Sequence, residues 1–198
     1  IGTTYAFNSC TSLEILTFNH TNLGKINFPE KFTNPVLRTL DLRYTSIKGG
    51  KAGESDADQE HVIYAETFED AAELVDLYID SPNLGVGFPS DKNTIHSDAF
   101  LFNPKLYYFW YRSYGATTGD ITSLFNSNPQ LQYLWLQQNN FTGILPSFTV
   151  NTNIHYVNLQ FNAFSGSIPG YQNLNNLVLL FRDFLVLNRK IYYAYIMF

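Results

Sequence analysis

The chain has 198 residues, 45% hydrophobic and 15% charged, a balance that fits one or two soluble globular domains and excludes a disordered chain. Its formal net charge is −5, and the 12 basic residues are scattered. Binders of nucleic acid or anionic membranes cluster Lys and Arg against phosphate, so neither class is expected. Cys10 is the only cysteine, which excludes an intrachain disulfide and reads as a packed thiol at a turn. No apolar run of roughly 18 residues offers a membrane span. The chain opens at Ile1 without Met, a basic segment or an apolar stretch, so it reads as a mature chain or a fragment of a larger polypeptide.

The segment LQYLWLQQNNFTGILP, residues 131–146, recurs in looser versions along the chain. Leu131, Leu134, Leu136 and Phe141 stand at relative positions 1, 4, 6 and 11, which fits a short strand bending into a turn. Taken in order, position 1 falls at Leu13, Leu37, Leu74, Leu106, Leu131, Ile154 and Leu174. Positions 4 and 6 are then Leu16 and Phe18, Leu40 and Leu42, Leu77 and Ile79, Phe109 and Tyr111, Leu134 and Leu136, Val157 and Leu159, Leu177 and Leu179. All are apolar or aromatic, as inward-facing positions require.

Upstream of the first six of these lies a phenylalanine: Phe7, Phe32, Phe68, Phe100, Phe125 and Phe148. These rings are expected to pack beneath the far side of the array. Asn34-Pro35, Asn103-Pro104 and Asn128-Pro129 follow them, and proline there stops a helix from running into the strand. A glycine closely follows position 11, as at Gly119, Gly143 and Gly166, and suits a tight turn. The phenylalanine spacings of 25, 36, 32, 25 and 23 residues place insertions near 51–62 and 90–96, both expected to project from one edge. Residues 54–80 hold 10 of the 17 acidic residues, and EHVIYAETFEDAAELV within them has the composition of a short helix. After residue 180 the pattern fails; residues 181–198 read as an irregular capping strand, a truncation or a frame error.

FTGILP at residues 141–146 and FSGSIP at residues 164–169 resemble the plant-type leucine-rich repeat, LxxLxLxxNxLxGxIP. The earlier YAFNSCTSLEIL, residues 5–16, is similar to the irregular leucine-rich repeats of microbial surface proteins. The resemblance covers roughly residues 5–180, and the repeat domain is set at residues 1–180, about six to seven repeats. It implies a right-handed α/β-type solenoid with a parallel sheet on its concave face and a mostly irregular or short-helical convex side. It also implies a role in recognising proteins, peptides or glycans at an extracellular, cell or virion surface.

By strand alternation, positions 3, 5 and 7 face out onto the sheet. Position 3 reads Ile15, Thr39, Asp76, Tyr108, Tyr133, Tyr156; position 5 reads Thr17, Asp41, Tyr78, Trp110, Trp135, Asn158; position 7 reads Asn19, Arg43, Asp80, Arg112, Gln137, Gln160. The candidate ligand-binding residues are therefore Tyr78, Tyr108, Trp110, Arg112, Tyr133, Trp135, Gln137, Tyr156, Asn158 and Gln160. Flat rings beside amides suit the C–H face of a sugar, and equally a protein or peptide hot spot. Aromatic residues on a sheet also pair across strands for stability alone, so a spacer or assembly segment with no ligand is the alternative. No catalytic, metal or cofactor pattern is evident: the four histidines lack ligand spacing, and GGKAGES lacks the phosphate-loop spacing. A non-enzymatic recognition or adhesion module is expected.

Overall fold

The computed structural model describes residues 7–21, 26–27, 31–45, 47–48, 61–80, 93–115, 117–167, 169–171, 174, 177–181 and 194–197. Its strands are β1 (Ile15–Thr17), β2 (Ile26–Asn27), β3 (Thr39–Arg43), β4 (Ile47–Lys48), β5 (His61–Ile63), β6 (Asp76–Asp80), β7 (Asn93–Ile95), β8 (Tyr108–Arg112), β9 (Thr118–Asp120), β10 (Tyr133–Trp135), β11 (Asn140–Thr142), β12 (Tyr156–Asn158), β13 (Val178–Phe181) and β14 (Ala194–Met197). One repeat of the sequence returns one strand to the same sheet, so β1, β3, β6, β8, β10, β12 and β13 run parallel, and β14 closes the order antiparallel to β13. This is a repeat solenoid built on a parallel sheet.

Positions 1, 4 and 6 form the interior. Leu37, Leu40 and Leu42, then Leu74, Leu77 and Ile79, then Leu131, Leu134 and Leu136 are all buried, and Tyr111 at position 6 is buried with its hydroxyl 2.8 Å from Thr117 Oγ1. Each such side chain contributes about 1.5–3 kcal/mol on burial, while ordering the backbone costs about 1–2 kcal/mol per residue. A single repeat therefore cannot stand alone, and stacking makes the array cooperative.

Behind the sheet the phenylalanines stack as expected. Phe32 lies 5.2 Å from Phe68, Phe68 lies 6.1 Å from Phe100, and Phe100 lies 6.1 Å from Phe125, ring centre to ring centre. Beside this spine runs an amide ladder. Asn34 Nδ2 donates to the carbonyls of Phe7 and Cys10, Asn103 to those of Phe68 and Ala71, Asn128 to those of Phe100 and Asn103, and Asn151 to those of Phe125 and Asn128. Each buried amide thus gives a second hydrogen bond to carbonyls of the preceding repeat that already accept a backbone N–H in their own turn, and so ties one repeat to the next. Ala71 occupies the same place in its repeat and has no amide to donate, so this rung is missing.

The chain leaves the sheet through a left-handed residue at position 8: His20 (φ 56°), Tyr44 (φ 56°), Gln138 (φ 59°) and Phe161 (φ 58°). Position 9 then bonds back to the position 6 carbonyl: Thr21 to Phe18, Thr45 to Leu42, Asn139 to Leu136 and Asn162 to Leu159. Threonine serves only its own repeat. The longer asparagine reaches further, Asn139 to Tyr111 O and Asn162 to Leu136 O, and so ties neighbouring turns.

Five expectations are corrected. Residues 61–62 and 93–95, placed in the projecting insertions near 51–62 and 90–96, belong to strands β5 and β7 of a second parallel sheet, β5-β7-β9-β11; residues 51–60 and 90–92 lie outside the described residues. The acidic segment forms β5, a single 3-10 turn at Ala65–Phe68 and β6 rather than a longer helix. Gly119 is not the turn glycine: it pairs with Phe141 inside the second sheet, because three extra residues precede it in that repeat. Gly143 (φ +84°) and Gly166 (φ +89°) do make the left-handed turn. The last repeat is shifted, since Leu179 pairs with Val157 where Leu177 was expected. Tyr171 takes the place of the spine ring, 6.0 Å from Phe148 with its hydroxyl donating to Pro146 O, which moves the strand later. Cys10, finally, is exposed rather than packed.

Candidate functional site

The register aligns the outward residues into the expected rows. Ile15, Thr39, Asp76, Tyr108, Tyr133 and Tyr156 are successive partners, and so are Thr17, Asp41, Tyr78, Trp110, Trp135 and Asn158. Adjacent strands lie about 4.8 Å apart, close to ring-stacking distance. Trp110 and Trp135 accordingly stack at 4.9 Å with planes 7° apart, and Trp135 stacks on Tyr156 at 4.5 Å. In the neighbouring row Tyr108 stacks on Tyr133 at 5.5 Å, and Tyr78 leans onto Tyr108 at 4.8 Å. All six rings are half-buried.

Charge is arranged beside the rings in closed pairs. Arg43 donates from Nε and Nη2 to the two carboxylate oxygens of Asp41, at 3.0 and 2.6 Å, and its guanidinium lies 4.4 Å over the Tyr78 ring. Arg112 grips Asp80 in the same way, at 3.1 and 2.5 Å, gives Nη1 to Gln138 Oε1, and lies 4.7 Å over Tyr114. A carboxylate held at both oxygens by a planar fork is the stronger form of ion pair. The Asp41 hydrogen bonds raise the Arg43 pKa against the opposing effect of burial. For Arg112 burial is the largest influence and lowers the value, but the bonds to Asp80 outweigh it and the net shift is upward. Asp80, read as outward-facing, is fully buried beneath Arg112.

The remaining candidates differ in availability. Asn158 is buried, 5% exposed, with Oδ1 accepting from the Gln160 backbone N–H, so it holds the turn. Gln137 and Gln160 are half-buried. The indole Nε1 of Trp110, that of Trp135 and Gln137 Oε1 are covered and have no hydrogen-bond partner in the protein. Burial raises the pKa of Tyr78 and Tyr156, and pushes Tyr108 up to about 12 with help from Tyr78. Asp76 is also raised, mainly by burial; Thr39 Oγ1 donates to it at 3.3 Å. Sequence reasoning left Asp76, Arg43 and Tyr114 off the candidate face, although the rows already contained Asp76 and Arg43. Among the described residues no group of His, Cys, Asp and Glu is placed to hold a metal ion, and no helix is long and apolar enough to cross a membrane.

A family model described as Leucine Rich Repeat matches residues 130–151. No curated protein matches the sequence. Among solved structures the chain is similar to the plant peptide hormone receptor RGFR1 in complex with RGF2, at 21% identity over 88% of this chain and 25% of that one, with a TM-score of 0.67. It is similar to the Arabidopsis receptor kinase HAESA in complex with the peptide hormone IDA and the co-receptor SERK1, at 19% identity over 90% and 27%, with a TM-score of 0.68. A TDR receptor is similar at 19% identity over 88% and 31%, with a TM-score of 0.55. At these identities the likeness speaks for the fold, and the chain spans between 25% and 31% of the length of these three proteins. The repeats, the parallel sheet and the matched model together define a leucine-rich repeat solenoid.

Proposed function

We propose that the chain is a non-enzymatic recognition module that takes a peptide or protein segment across the aromatic rows of its parallel sheet. The observation that carries this reading is the stack Trp110–Trp135–Tyr156, in which the two indoles are register partners and Tyr156 crosses from the neighbouring row, keeping three large rings half-buried on one continuous surface. Rings of this kind lose little conformational entropy on binding and dominate protein recognition surfaces. Two of the similar structures are named as complexes with peptide hormones, which favours a peptide over a glycan as ligand. The reading places the chain outside the cell or on its surface, as part of a longer polypeptide.

A random-peptide display library and a glycan array, each probed with the unsubstituted protein and with Trp110→Ala plus Trp135→Ala, test the reading. Selected peptides are expected to lose at least about tenfold in affinity on the double substitution, the scale of a hot-spot loss. Unchanged binding of every selected peptide and glycan would overturn the proposal. Loss of folding in the double variant, with no ligand found for the parent, would favour the spacer role.

A further inference from the structure

The sheet builds one arrangement twice. A carboxylate, an arginine fork and a tyrosine ring come together as Asp41, Arg43 and Tyr78, and again as Asp80, Arg112 and Tyr114. In both the guanidinium bonds the carboxylate in its plane and covers the ring with its face, so its two binding modes are used together.

Asp76 and Tyr108 repeat the carboxylate and the ring without the arginine. They are direct partners across β6 and β8. The tall row of Tyr156, Tyr133 and Tyr108 steps down at this point to the short side chains of Asp76 and Thr39, and Tyr78 leans in at 4.8 Å from Tyr108. The step leaves a notch with a carboxylate at its base and tyrosine rings beside it. Asp76 has only the Thr39 hydroxyl as hydrogen-bond partner and no ion pair among the described residues; Arg38 acts on it through space without bridging. A half-buried carboxylate with no bridging cation is partly stripped of water at a cost, and an incoming cation would relieve it.

We infer that the notch between Asp76 and Tyr108 is a subsite for an arginine side chain of the bound peptide, whose guanidinium completes the third carboxylate–arginine–tyrosine set. This rests on the reading of the sheet face as a peptide-recognition surface, and it narrows the ligand to a peptide carrying arginine. Such a ligand also complements the net charge of −5. Lysine would meet the carboxylate but would not match the two-point fork, so arginine is favoured over it.

The test is an NMR titration of isotope-labelled protein with N-acetyl-arginine amide and with its citrulline counterpart, which keeps the shape and loses the charge. Arginine is expected to give saturable shifts at Thr39, Asp76, Tyr78 and Tyr108, with citrulline at least about tenfold weaker, as expected for loss of a charge-assisted pair. Asp76→Asn, close to isosteric, is expected to bring arginine down to the citrulline level. Equal response to the two probes, no saturable arginine response, or full arginine binding in Asp76→Asn would each overturn the subsite. The probe comparison uses the unsubstituted protein and so holds even if the variant fails to fold. Display peptides that need Trp110 and Trp135 but lack arginine and ignore Asp76→Asn would overturn the subsite and spare the recognition reading. Arginine shifts at the notch, with no peptide dependent on the tryptophans, would do the reverse.

Discussion

Strands β3 and β10 have the same inner face and different outer ones. Inward, Leu40 and Leu42 on β3 correspond to Leu134 on β10 and Leu136 beyond it, all buried. Outward, β3 presents Thr39, Asp41 and Arg43, which are tied to Asp76 and to each other, whereas β10 presents Tyr133 and Trp135, whose rings stack on those of the strands beside them. The difference teaches that stacking constrains one side of each strand and leaves the other free to specialise. What the protein binds must therefore be sought in the outward rows, and what holds it together in the inward ones.

That separation can be broken most sharply from the inside. Leu134→Ala is expected to cost about 2–5 kcal/mol, the usual range for a buried leucine truncated in place, whereas Tyr133→Ala next to it should cost about 1 kcal/mol or less, the scale of a cross-strand pair. Chemical denaturation of both variants makes the comparison, and equal losses would mean that the outer row is structural after all. Asn128→Ala removes the amide that serves Phe100 O and Asn103 O. Both carbonyls keep a backbone donor, so the loss is that of two hydrogen bonds between repeats and should cost about 1–3 kcal/mol, read from the same denaturant midpoints.

The smallest effect lies outward and concerns pH. The Tyr108 hydroxyl is raised from 10.0 to about 12 by burial and by Tyr78, so folding favours its neutral form. Its contribution to stability is full below the ordinary tyrosine value and is lost as pH rises through about 12. Tyr108→Phe should flatten the alkaline fall in stability over that window, followed by unfolding midpoints at stepped pH. An unchanged alkaline fall would place the sensitivity elsewhere.

The inward and outward rows were legible because each depends on spacing within one repeat: Leu131, Leu134 and Leu136 announce the strand, and alternation assigns Tyr133 and Trp135 to its outer side. What escaped depends on partners a whole repeat away. In the sequence Asn34, Asn103 and Asn128 stand out only as the residues before a helix-stopping proline, although they share the role of donating to carbonyls of the preceding repeat. The second sheet escaped because strands as short as Thr118–Asp120 carry too few residues to show alternation. The shifted last repeat escaped because Leu174 and Leu177 are both leucines, and only Tyr171 reveals which one opens the turn. Burial of Asp80 beneath Arg112 follows from a pairing between strands that an outward position alone does not disclose.

The missing rung at Ala71 has a mechanical consequence. On the sheet side, β3 and β6 are matched over five residues, as are β6 and β8, while on the far side no amide from Ala71 reaches back and a backbone bond, Phe32 N–H to Thr67 O at 2.8 Å, stands in place of the amide pair. A joint fastened firmly along one edge and lightly along the other behaves as a hinge whose axis follows the firm edge. Changes of curvature are therefore expected to concentrate between these two repeats, beside the Asp76 notch. Hydrogen exchange should show faster opening of the backbone amides of Phe32 and Leu37 than of those of Leu106 and Leu131, whose repeats are laced by the ladder. Exchange at equal rates would mean that the spine alone sets the stiffness of the coil.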